Sequence, residues 1–267
     1  MLESLSLDGK TIVVTGGGTG LGKEMVLAMA RAGADTVVAS RRTGPIEKVA
    51  SLARDLGTRS IAVSTDVTDS AQVERLFQAA LDEFGKVDVL FNNAGIVRGQ
   101  GGIPLWDITD DEWRLGMDTN LTGAFYCSRA ISRHMVERGE GKIVNVSSGF
   151  GLRGGRDNYM YACAKGGIIQ LTRALATSLG RHGITSTCIV PGLIPTRGSA
   201  ESGENLPRGE FIPTGRVGDT PEVGPIAVFL ASSASGYMNG EMFPIDGGGL
   251  AGGYAPTGYA PEIPLVI

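Results

Sequence analysis

Hydrophobic residues recur along the chain in two patterns, short β-branched runs and longer stretches with apolar residues at helical spacing. Lys10 to Thr15 is a β-branched run that ends at a group of glycines, and residues 21–33 place Leu21 and Met25 on one helical face. The period of the apolar positions is about two residues in a strand and about 3.6 in a helix. The chain is therefore predicted to begin with a strand, a turn and a helix.

The same alternation continues to about residue 190. The later predicted strands are residues 36–39, 60–64, 87–91, 142–146 and 184–190, and the later predicted helices are residues 45–57, 69–84, 110 to about 138 and 160–182. Strands that alternate with helices of this length form right-handed βαβ units with parallel strands. The pattern predicts an α/β fold, a doubly wound parallel sheet of the Rossmann type with helices on both faces, whose ligand crevice lies at the carboxyl ends of the strands.

Two segments depart from this alternation. Residues 191–219 contain four prolines among mixed charges, and a long irregular segment in a compact domain usually covers a functional site. Residues 247–267 form a Gly-, Pro- and Tyr-rich tail that ends in apolar side chains. With no linker or internal repeat, the pattern predicts one domain over residues 1–267.

Composition narrows the function classes. The 267 residues are 42% hydrophobic and 19% charged, which suits a domain with a large core. A net charge of −4 argues against a nucleic-acid-binding protein. The chain has no apolar run of the ~18 residues that a membrane span needs and no leader-like start, so we expect a cytoplasmic protein without a membrane partner. Three cysteines without CxxC spacing and two histidines give no reason to assign a metal.

A glycine-rich loop follows the first predicted strand. Bare backbone between a strand and a helix allows a pyrophosphate to approach N–H groups and the positive end of the helix. The loop is predicted to bind a dinucleotide, although its GxxxGxG spacing differs from the common GxGxxG fingerprint. A tight turn that happens to be glycine-rich is the alternative. The predicted contacts are Gly16, Gly18, Thr19, Gly20, Leu21 and Gly22.

The end of the second strand indicates which dinucleotide is preferred. A site for NAD usually offers an Asp or Glu there to the ribose 2′-hydroxyl, whereas this chain has Ser40 and Arg41. A guanidinium supplies charge and forked donors for a 2′-phosphate. NADP(H) is therefore favoured over NAD(H), with a solvated loop as the alternative role for Arg41.

Two more strand ends reach the same edge of the predicted sheet. Asp66 and Val67 follow the third strand, and Asn93, Ala94 and Gly95 follow the fourth. A carboxylate, an amide and close backbone suit adenine and ribose. Asp66 is alternatively a cap of the helix predicted over residues 69–84.

Tyr161 and Lys165 are spaced i, i+4 near the start of a predicted helix, so that a phenol and an ammonium share one face. The pKa of a free phenol is about 10, and a nearby ammonium lowers it toward neutrality, where phenolate can act as a base. Ser148 ends the fifth strand and is the candidate to polarise a carbonyl oxygen, with Ser147 as the alternative if the register shifts by one residue. Taken alone, the spacing is explained equally simply by a Tyr–Lys pair on the protein surface.

Taken together, these motifs resemble the short-chain dehydrogenase/reductase family, in particular its oxidoreductase-type subgroup of about 250 residues, over about residues 8–249. The motifs are TGGGTGLG at 15–22, NNAG at 92–95, the Ser148, Tyr161 and Lys165 set, and Pro191-Gly192. The resemblance implies that Tyr161 is the general acid/base and that Ser148 donates to the substrate oxygen. It also implies that Lys165 lowers the pKa of Tyr161 and binds the nicotinamide ribose, and that Asn120 holds a water of the proton relay.

The resemblance has three further implications. Pro191, Gly192 and Thr196 would border the nicotinamide, residues 193–215 would form the substrate lid, and the protein would be a homotetramer. The function it implies is an NADP(H)-dependent oxidoreductase that interconverts a small-molecule ketone or aldehyde and an alcohol.

Two rival functions are disfavoured, because Tyr161 and Lys165 are both present and about 60 residues beyond the sixth strand leave no room for a further domain. One is a non-catalytic NADP-binding regulatory or scaffold protein, which would be marked by loss of the Tyr or the Lys. The other is an epimerase or dehydratase, which usually carries a larger substrate domain. The substrate itself stays open among keto-sugar acids, 3-oxoacyl thioesters and cyclic ketones. The residues considered for contact with an anionic substrate are Arg98, Phe150, Arg153, Arg156 and Arg197.

The apolar tail is predicted to pack across a subunit interface near a neighbour's lid, because a terminus with exposed apolar surface needs a partner. Cover of its own subunit's core is the alternative. The apolar residues concerned are Leu250, Tyr254, Tyr259, Ile263, Leu265, Val266 and Ile267. Two other residues are predicted to pack in the core, Cys163 and Trp113.

Overall fold

The computed structural model describes residues 2–96, 103–155, 158–196 and 208–252. Its strands are β1 Thr11–Thr15, β2 Asp35–Ser40, β3 Ser60–Ser64, β4 Val89–Asn92, β5 Gly141–Val146, β6 Ile184–Pro191 and β7 Met242–Ile245. They form one parallel sheet of seven strands in the order β3-β2-β1-β4-β5-β6-β7. The strand order reverses between β1 and β4, which is where a doubly wound sheet forms its crevice.

Helices join successive strands as the alternating pattern predicts. They are α1 Gly20–Arg31, α2 Thr43–Asp55, α3 Ser70–Phe84, α4 Asp110–Met117, α5 Gly123–Arg138, α6 Tyr159–Leu179 and α7 Val223–Ala231. A π-helical turn, Asp118–Thr122, joins α4 to α5, so that the helix predicted from residue 110 to about 138 is nearly continuous. Within the described residues, no helix combines the length and apolar character needed to cross a bilayer.

The helices cover both faces of the sheet, as predicted. Ile12 and Val14 of β1 pack into one hydrophobic cluster with α1, α2 and α7. Val13, between them, packs into a second cluster with α3 and α5 on the opposite face. All three side chains are fully buried. A parallel strand that is covered on both faces buries successive side chains, so its sequence is a continuous apolar run rather than an alternating one.

The sequence pattern did not reveal α7 or β7. The segment that forms α7 is apolar on all sides and contains Gly224 and Pro225, two residues that usually interrupt helices. Pro225 is tolerated because it lies in the first turn of α7. β7 has only four residues and contains Pro244, which a strand accepts at the edge of a sheet. β7 pairs with β6 alone and is such an edge strand.

Candidate active site

The glycine-rich loop leaves β1 at the carboxyl edge of the sheet and is packed too closely for side chains. Gly16 has a φ of +67°, and a Cβ there would lie 2.8 Å from Asn93 Nδ2. A Cβ on Gly22 would collide with the carbonyl oxygen of Gly16. The bare backbone of Gly16 and Gly22 therefore allows the loop to close against the end of β4.

The first turn of α1 faces outward from this loop. Thr19, the N-cap, is extended, its side chain caps no described N–H group, and the turn contains no acidic residue. The N–H groups of a first helical turn have no partner within the helix. They are available to an anion at the positive end of α1. The arrangement fits a dinucleotide pyrophosphate.

The other predicted loop residues have distinct surroundings. Leu21 packs against the hydrophobic cluster, so only its backbone is available to a ligand. A Cβ on Gly18 would lie 3.0 Å from Ile46 of α2, and one on Gly20 would lie 3.1 Å from Thr196. Thr196 thus lies beside the glycine loop.

No acidic residue follows β2 where a ribose hydroxyl would be bound. Ser40 ends the strand, and its hydroxyl donates to the carbonyl of Arg42 at 3.4 Å. The carbonyl of Arg41 accepts from Ser64 Oγ at 3.2 Å. Arg41 and Arg42 are exposed, and neither guanidinium forms an ion pair within the part of the chain that the structure describes. The two cations face the surface beside the glycine loop.

Asp66 does not cap α3, so that alternative is wrong. The N-cap is Asp69, whose carboxylate accepts from the backbone N–H of Ala71 and Gln72. Asp66 Oδ1 accepts instead from the N–H and hydroxyl of Thr68 at 3.0 and 2.8 Å. The Val67 side chain is only 7% exposed, which leaves its backbone as the group that can reach a ligand.

Asn93, Ala94 and Gly95 form a closely packed corner after β4. The N–H groups of Asn93 and Ala94 both donate to Thr15 Oγ1 at 3.1 Å. A Cβ on Gly95 would lie 2.7 Å from Asn120 Oδ1 and 3.5 Å from Lys165 Nζ. The absence of a side chain at Gly95 brings the backbone after β4 next to two of the predicted catalytic residues.

Asn120 lies in the π-helical turn and is 1% exposed. Its Oδ1 accepts from the N–H of Ile96 at 3.0 Å, and its Nδ2 donates to the carbonyls of Gly116 at 2.9 Å and Ile96 at 3.2 Å. Its amide therefore ties the helical turn to the chain that follows β4.

Ser148, Tyr161 and Lys165 meet at the carboxyl end of β5. Ser148 Oγ accepts from the N–H of Phe150 at 3.3 Å and lies close enough to the Tyr161 phenol to lower its pKa. Lys165 Nζ lies 5.5 Å from the centre of the Tyr161 ring. Ser147 is excluded from the role considered for it, because its buried hydroxyl donates to the carbonyl of Lys165 at 2.7 Å. Ser148 stays the candidate to polarise the substrate oxygen.

Burial dominates the ionisation of this pair in the chain by itself. It raises the pKa of Tyr161, which the hydrogen bond from Ser148 offsets only in part. Burial also lowers the pKa of Lys165 to about 8. Burial has the larger effect on the Tyr161 phenol, because moving phenolate out of water is costly. The charged forms of both groups need further charge or dipoles for stabilisation.

An aromatic and a cationic side chain extend from Tyr161 toward the surface. The ring of Phe150 lies edge-on to that of Tyr161 at 6.4 Å, and the Arg153 guanidinium lies 4.9 Å from the centre of the Phe150 ring. Of the five residues considered for an anion, these two lie in the described chain. Arg98, Arg156 and Arg197 lie outside the described residues.

The segments after β6 and β7 meet beside the site. Pro191 ends β6, and a Cβ on Gly192 would lie 2.5 Å from Asp246. The N–H of Thr214, in the described end of the predicted lid, donates to the carbonyl of Gly247 at 3.2 Å. Leu250 packs against a buried cluster of the same chain that contains Ile168, Cys188 and Val190. Residues 197–207 of the lid and the tail from residue 253 lie outside the described residues.

Two residues predicted to pack in the core are exposed. Cys163 lies on the outer side of α6, one position from the buried Ala164, and Trp113 is 40% exposed. Both predictions are wrong for this chain. No cluster of three or more His, Cys, Asp or Glu side chains that could hold a metal occurs among the described residues.

Comparison with known proteins agrees with this geometry. Residues 10–207 match the family model described as short chain dehydrogenase. The chain is 36% identical to 2-dehydro-3-deoxy-D-gluconate 5-dehydrogenase of Escherichia coli K12, with 94% of this chain and 99% of the relative covered. It is also 36% identical to a 3-oxoacyl-[acyl-carrier-protein] reductase of Synechocystis, with 91% and 98% covered.

A solved structure has the same fold. The gluconate 5-dehydrogenase of Burkholderia cenocepacia, in complex with NADP and tartrate, superimposes with a TM-score of 0.86 at 33% identity. The superposition covers 93% of this chain and 98% of that protein.

Proposed function

Since the chain belongs to the short-chain dehydrogenase family and is an oxidoreductase that interconverts a carbonyl and an alcohol with NAD(P), we propose that it prefers NADP(H) and uses Tyr161 as its general acid and base. The observation that carries the proposal is the meeting of Tyr161, Ser148 and Lys165 at the sheet edge that also holds the glycine loop. A binding or scaffold protein has no need of this arrangement.

The residues present fit a dinucleotide. The loop from Gly16 to Gly22 and the N–H groups of the first turn of α1 hold the pyrophosphate, because they supply donors at a positive helix end without side chains in the way. The backbone around Asp66 and Gly95 borders the adenosine and the inner ribose. Pro191, Gly192 and Thr196 border the nicotinamide end. When bound, the nicotinamide supplies or accepts the hydride.

The preference for NADP(H) rests on Ser40 and Arg41. A carboxylate after β2 would repel a 2′-phosphate, and no such residue is present. Arg41 and Arg42 instead provide two exposed cations next to the glycine loop. The relative from Burkholderia cenocepacia was solved with NADP bound.

The catalytic roles follow from the positions of the side chains. In reduction, Tyr161 donates its phenolic proton to the oxygen of the substrate carbonyl, and in oxidation it removes the proton of the alcohol. Ser148 donates a hydrogen bond to the same oxygen. Lys165, whose ammonium lies 5.5 Å from the centre of the Tyr161 ring, stabilises phenolate by its charge, and Asn120 holds a water of the proton relay. Each of these roles requires the side chains to share one edge, and they do.

For the substrate we propose a small polyhydroxylated acid or its keto form. Two of the compared proteins act on a gluconate, and the one from Burkholderia cenocepacia was solved with tartrate. The cationic Arg153 beside Phe150 suits an anion at the mouth of the site. A 3-oxoacyl thioester is the second candidate, supported by the similarity to the Synechocystis reductase. A homotetrameric assembly and a cytoplasmic location also remain proposals.

The decisive experiment is a screen of NADPH oxidation with keto acids, 3-oxoacyl thioesters and cyclic ketones, and of NADP reduction with the matching alcohols. Tyr161→Phe keeps the ring and removes the transferable proton, so turnover of the best substrate should fall about 100-fold or more. Tyr159→Phe, two residues earlier on α6, is the matched control and should leave turnover nearly unchanged. Wild-type-like turnover in Tyr161→Phe would contradict the proposed mechanism.

A further inference from the structure

Below the Tyr161 and Lys165 face lies a buried row of four polar side chains that connects two strands to two helices. Asn92 of β4 and Asn145 of β5 are paired in register, and Asn92 Nδ2 donates to Asn145 Oδ1 at 2.9 Å. Asn92 Nδ2 also donates to Ser128 Oγ of α5 at 3.0 Å, and Asn145 Nδ2 donates to Thr172 Oγ1 of α6 at 2.9 Å. We call these four residues the asparagine bridge. All of them are at most 4% exposed.

The direction of every hydrogen bond in the asparagine bridge is determined by its two ends. Ser128 Oγ donates its only proton to the carbonyl of Ala124 at 2.7 Å, and Thr172 Oγ1 donates its proton to that of Ile168 at 2.8 Å. Both hydroxyls can therefore only accept from the bridge. Asn145 must turn its NH₂ toward Thr172 and its oxygen toward Asn92.

The acceptor role of Ser128 also determines the orientation of the Asn92 side-chain amide. Asn92 has to donate from its NH₂ to both Asn145 and Ser128, and flipping either amide would bring two donors or two acceptors together. Asn92 Oδ1 is consequently left without a hydrogen-bond partner among the described residues. Donation to the hydroxyls of both helices thus leaves one buried amide oxygen unpaired.

The helices it joins carry the proposed catalytic residues. Thr172 lies two turns after Lys165 on α6, about 10 Å along the helix axis and on the same side. Ser128 lies about two turns after Asn120, across the π-helical turn. On β5, Asn145 directly precedes Val146, whose carbonyl accepts from Lys165 Nζ at 2.8 Å. The bridge thus continues the row of contacts that begins at Lys165.

Hydrogen bonds can specify the position of these helices in a way that their apolar contacts do not. Hydrophobic packing is non-directional, whereas a buried donor or acceptor that is left unpaired destabilises the fold. A shift of α5 or α6 along the sheet would break the asparagine bridge before it exposed much apolar surface. The bridge therefore favours one position of the two helices.

We propose that Asn92 and Asn145, with Ser128 and Thr172, are positioning residues that fix α6 against α5 and so align Tyr161 and Lys165 with Asn120. The inference rests on the proposed catalytic function. It assigns the bridge a role in turnover beyond its contribution to stability.

Two pairs of substitutions separate that role from stability alone. Thr172→Val keeps the shape but removes the acceptor for Asn145, and Thr177→Val is its control on the same helix. The hydroxyl of Thr177 bonds only to the carbonyls of Arg173 and Ala174 of its own helix among the described residues. Ser128→Ala tests the other arm, with Ser132→Ala as control, since Ser132 Oγ donates to the carbonyl of Arg129.

Assays run well below the melting temperature should show kcat about tenfold lower for Thr172→Val, with KM for NADPH changed less than about twofold. The pKa that governs kcat should also move, because Lys165 no longer lies at its original distance from Tyr161. Thr172→Ser, which keeps the hydroxyl, should restore both values. Ser128→Ala should move the pH profile in the same direction, and the two controls should leave it unchanged.

Lower melting temperatures with unchanged kcat and pH profiles in Thr172→Val and Ser128→Ala would overturn the inference. Should Thr172→Val fail to fold, Ser128→Ala alone decides, since it removes a smaller group from the other arm. Tyr161→Phe is assayed in parallel on the same substrate. Full turnover in that variant contradicts the proposed function itself, whereas a loss of turnover there with active bridge variants contradicts only the positioning role.

Discussion

The ammonium of Lys165 donates a hydrogen bond of 2.8 Å to the carbonyl of Val146, the last residue of β5. Ser148 follows Val146 by two residues, and the Ser147 hydroxyl between them donates back to the carbonyl of Lys165. The strand end that carries Ser148 and the helix that carries Tyr161 are thus joined by two reciprocal bonds. The register of Ser148 against Tyr161 follows from this pairing.

The glycine loop gives the first prediction. Gly22→Ala places a methyl group against the carbonyl of Gly16, so the loop must open and its N–H groups lose their alignment. We expect the Kd for NADPH to rise at least about tenfold, which corresponds to ~1.4 kcal/mol. Fluorescence titration measures it. Gly44→Ala is the control, since a Cβ there meets nothing within 4 Å among the described residues. Unchanged NADPH affinity in Gly22→Ala would show that the loop does not bind the cofactor.

Cofactor choice gives the second prediction. Wild-type kcat/KM with NADP(H) should exceed that with NAD(H) at least about tenfold, and Arg41→Asp should reverse the order because a carboxylate repels the 2′-phosphate and accepts from a ribose hydroxyl. Arg41→Ala serves as the control for loss of the cation without gain of the acid, and it should reduce the preference without reversing it. Equal efficiencies with both cofactors in the wild type would refute the assignment of Ser40 and Arg41.

Local patterns predicted those parts of the molecule that depend on local signals. The strand, glycine loop and helix at the start of the chain follow one another directly in the sequence. Tyr161 and Lys165 are only four residues apart. β5 ends at Val146, as the predicted strand over residues 142–146 does, and Ser148 follows two residues later. The helical period contradicts the prediction that Cys163 is buried. Ala164 and Ile168, four residues apart, mark the buried face, and Cys163 lies off it.

Other features depend on contacts between distant segments. Asn145 interrupts an apolar run in β5, which is a visible signal of a buried polar role, yet its partners Asn92 and Thr172 are defined only by the order of the strands and the placement of α6. Asp88 is a similar case. It directly precedes β4 and is 4% exposed, and its partners Thr11 and Arg138 come from distant segments.

Asp88 gives the third prediction, on acid stability. Burial opposes its ionisation, but donation from the Thr11 N–H, Arg138 and Lys86 outweighs burial and lowers its pKa below 3.8. A carboxyl with a lowered pKa stabilises the fold above its unfolded pKa, and this stabilisation is lost as the pH falls through the folded pKa. Asp88→Asn should therefore destabilise the protein by about 2 kcal/mol at pH 7.

Thermal melts from about pH 7 to pH 3 test this expectation, because the deficit of Asp88→Asn should persist to about pH 5 and shrink below about pH 4. Asp55→Asn, an exposed position on α2, is the control and should show little deficit at any pH. A deficit of Asp88→Asn that did not depend on pH would mean that packing, rather than charge, accounts for it.

Lys142 gives the last prediction, at the opposite end of the pH range. Burial and the neighbouring charge of Lys10 lower its pKa from 10.5 to about 8, and its ammonium donates to Ser235 Oγ at 3.0 Å. Because the folded state holds this proton less tightly than the unfolded state, the group destabilises the fold below about pH 8, and that penalty disappears as the pH rises toward 10.5. Lys142→Met keeps the apolar stem and removes the charge. After allowance for the lost hydrogen bond, it should stabilise the protein by about 1–2 kcal/mol at pH 7.

The gain of Lys142→Met should shrink steadily between about pH 8 and pH 10, which denaturant titrations at fixed pH values can follow. Lys48→Met, an exposed position on α2, is the control and should show no comparable gain at pH 7. Destabilisation of Lys142→Met at pH 7 would mean that the bond to Ser235 outweighs the cost of desolvating the ammonium, and that Lys142 supports the amino end of β5 as a cation.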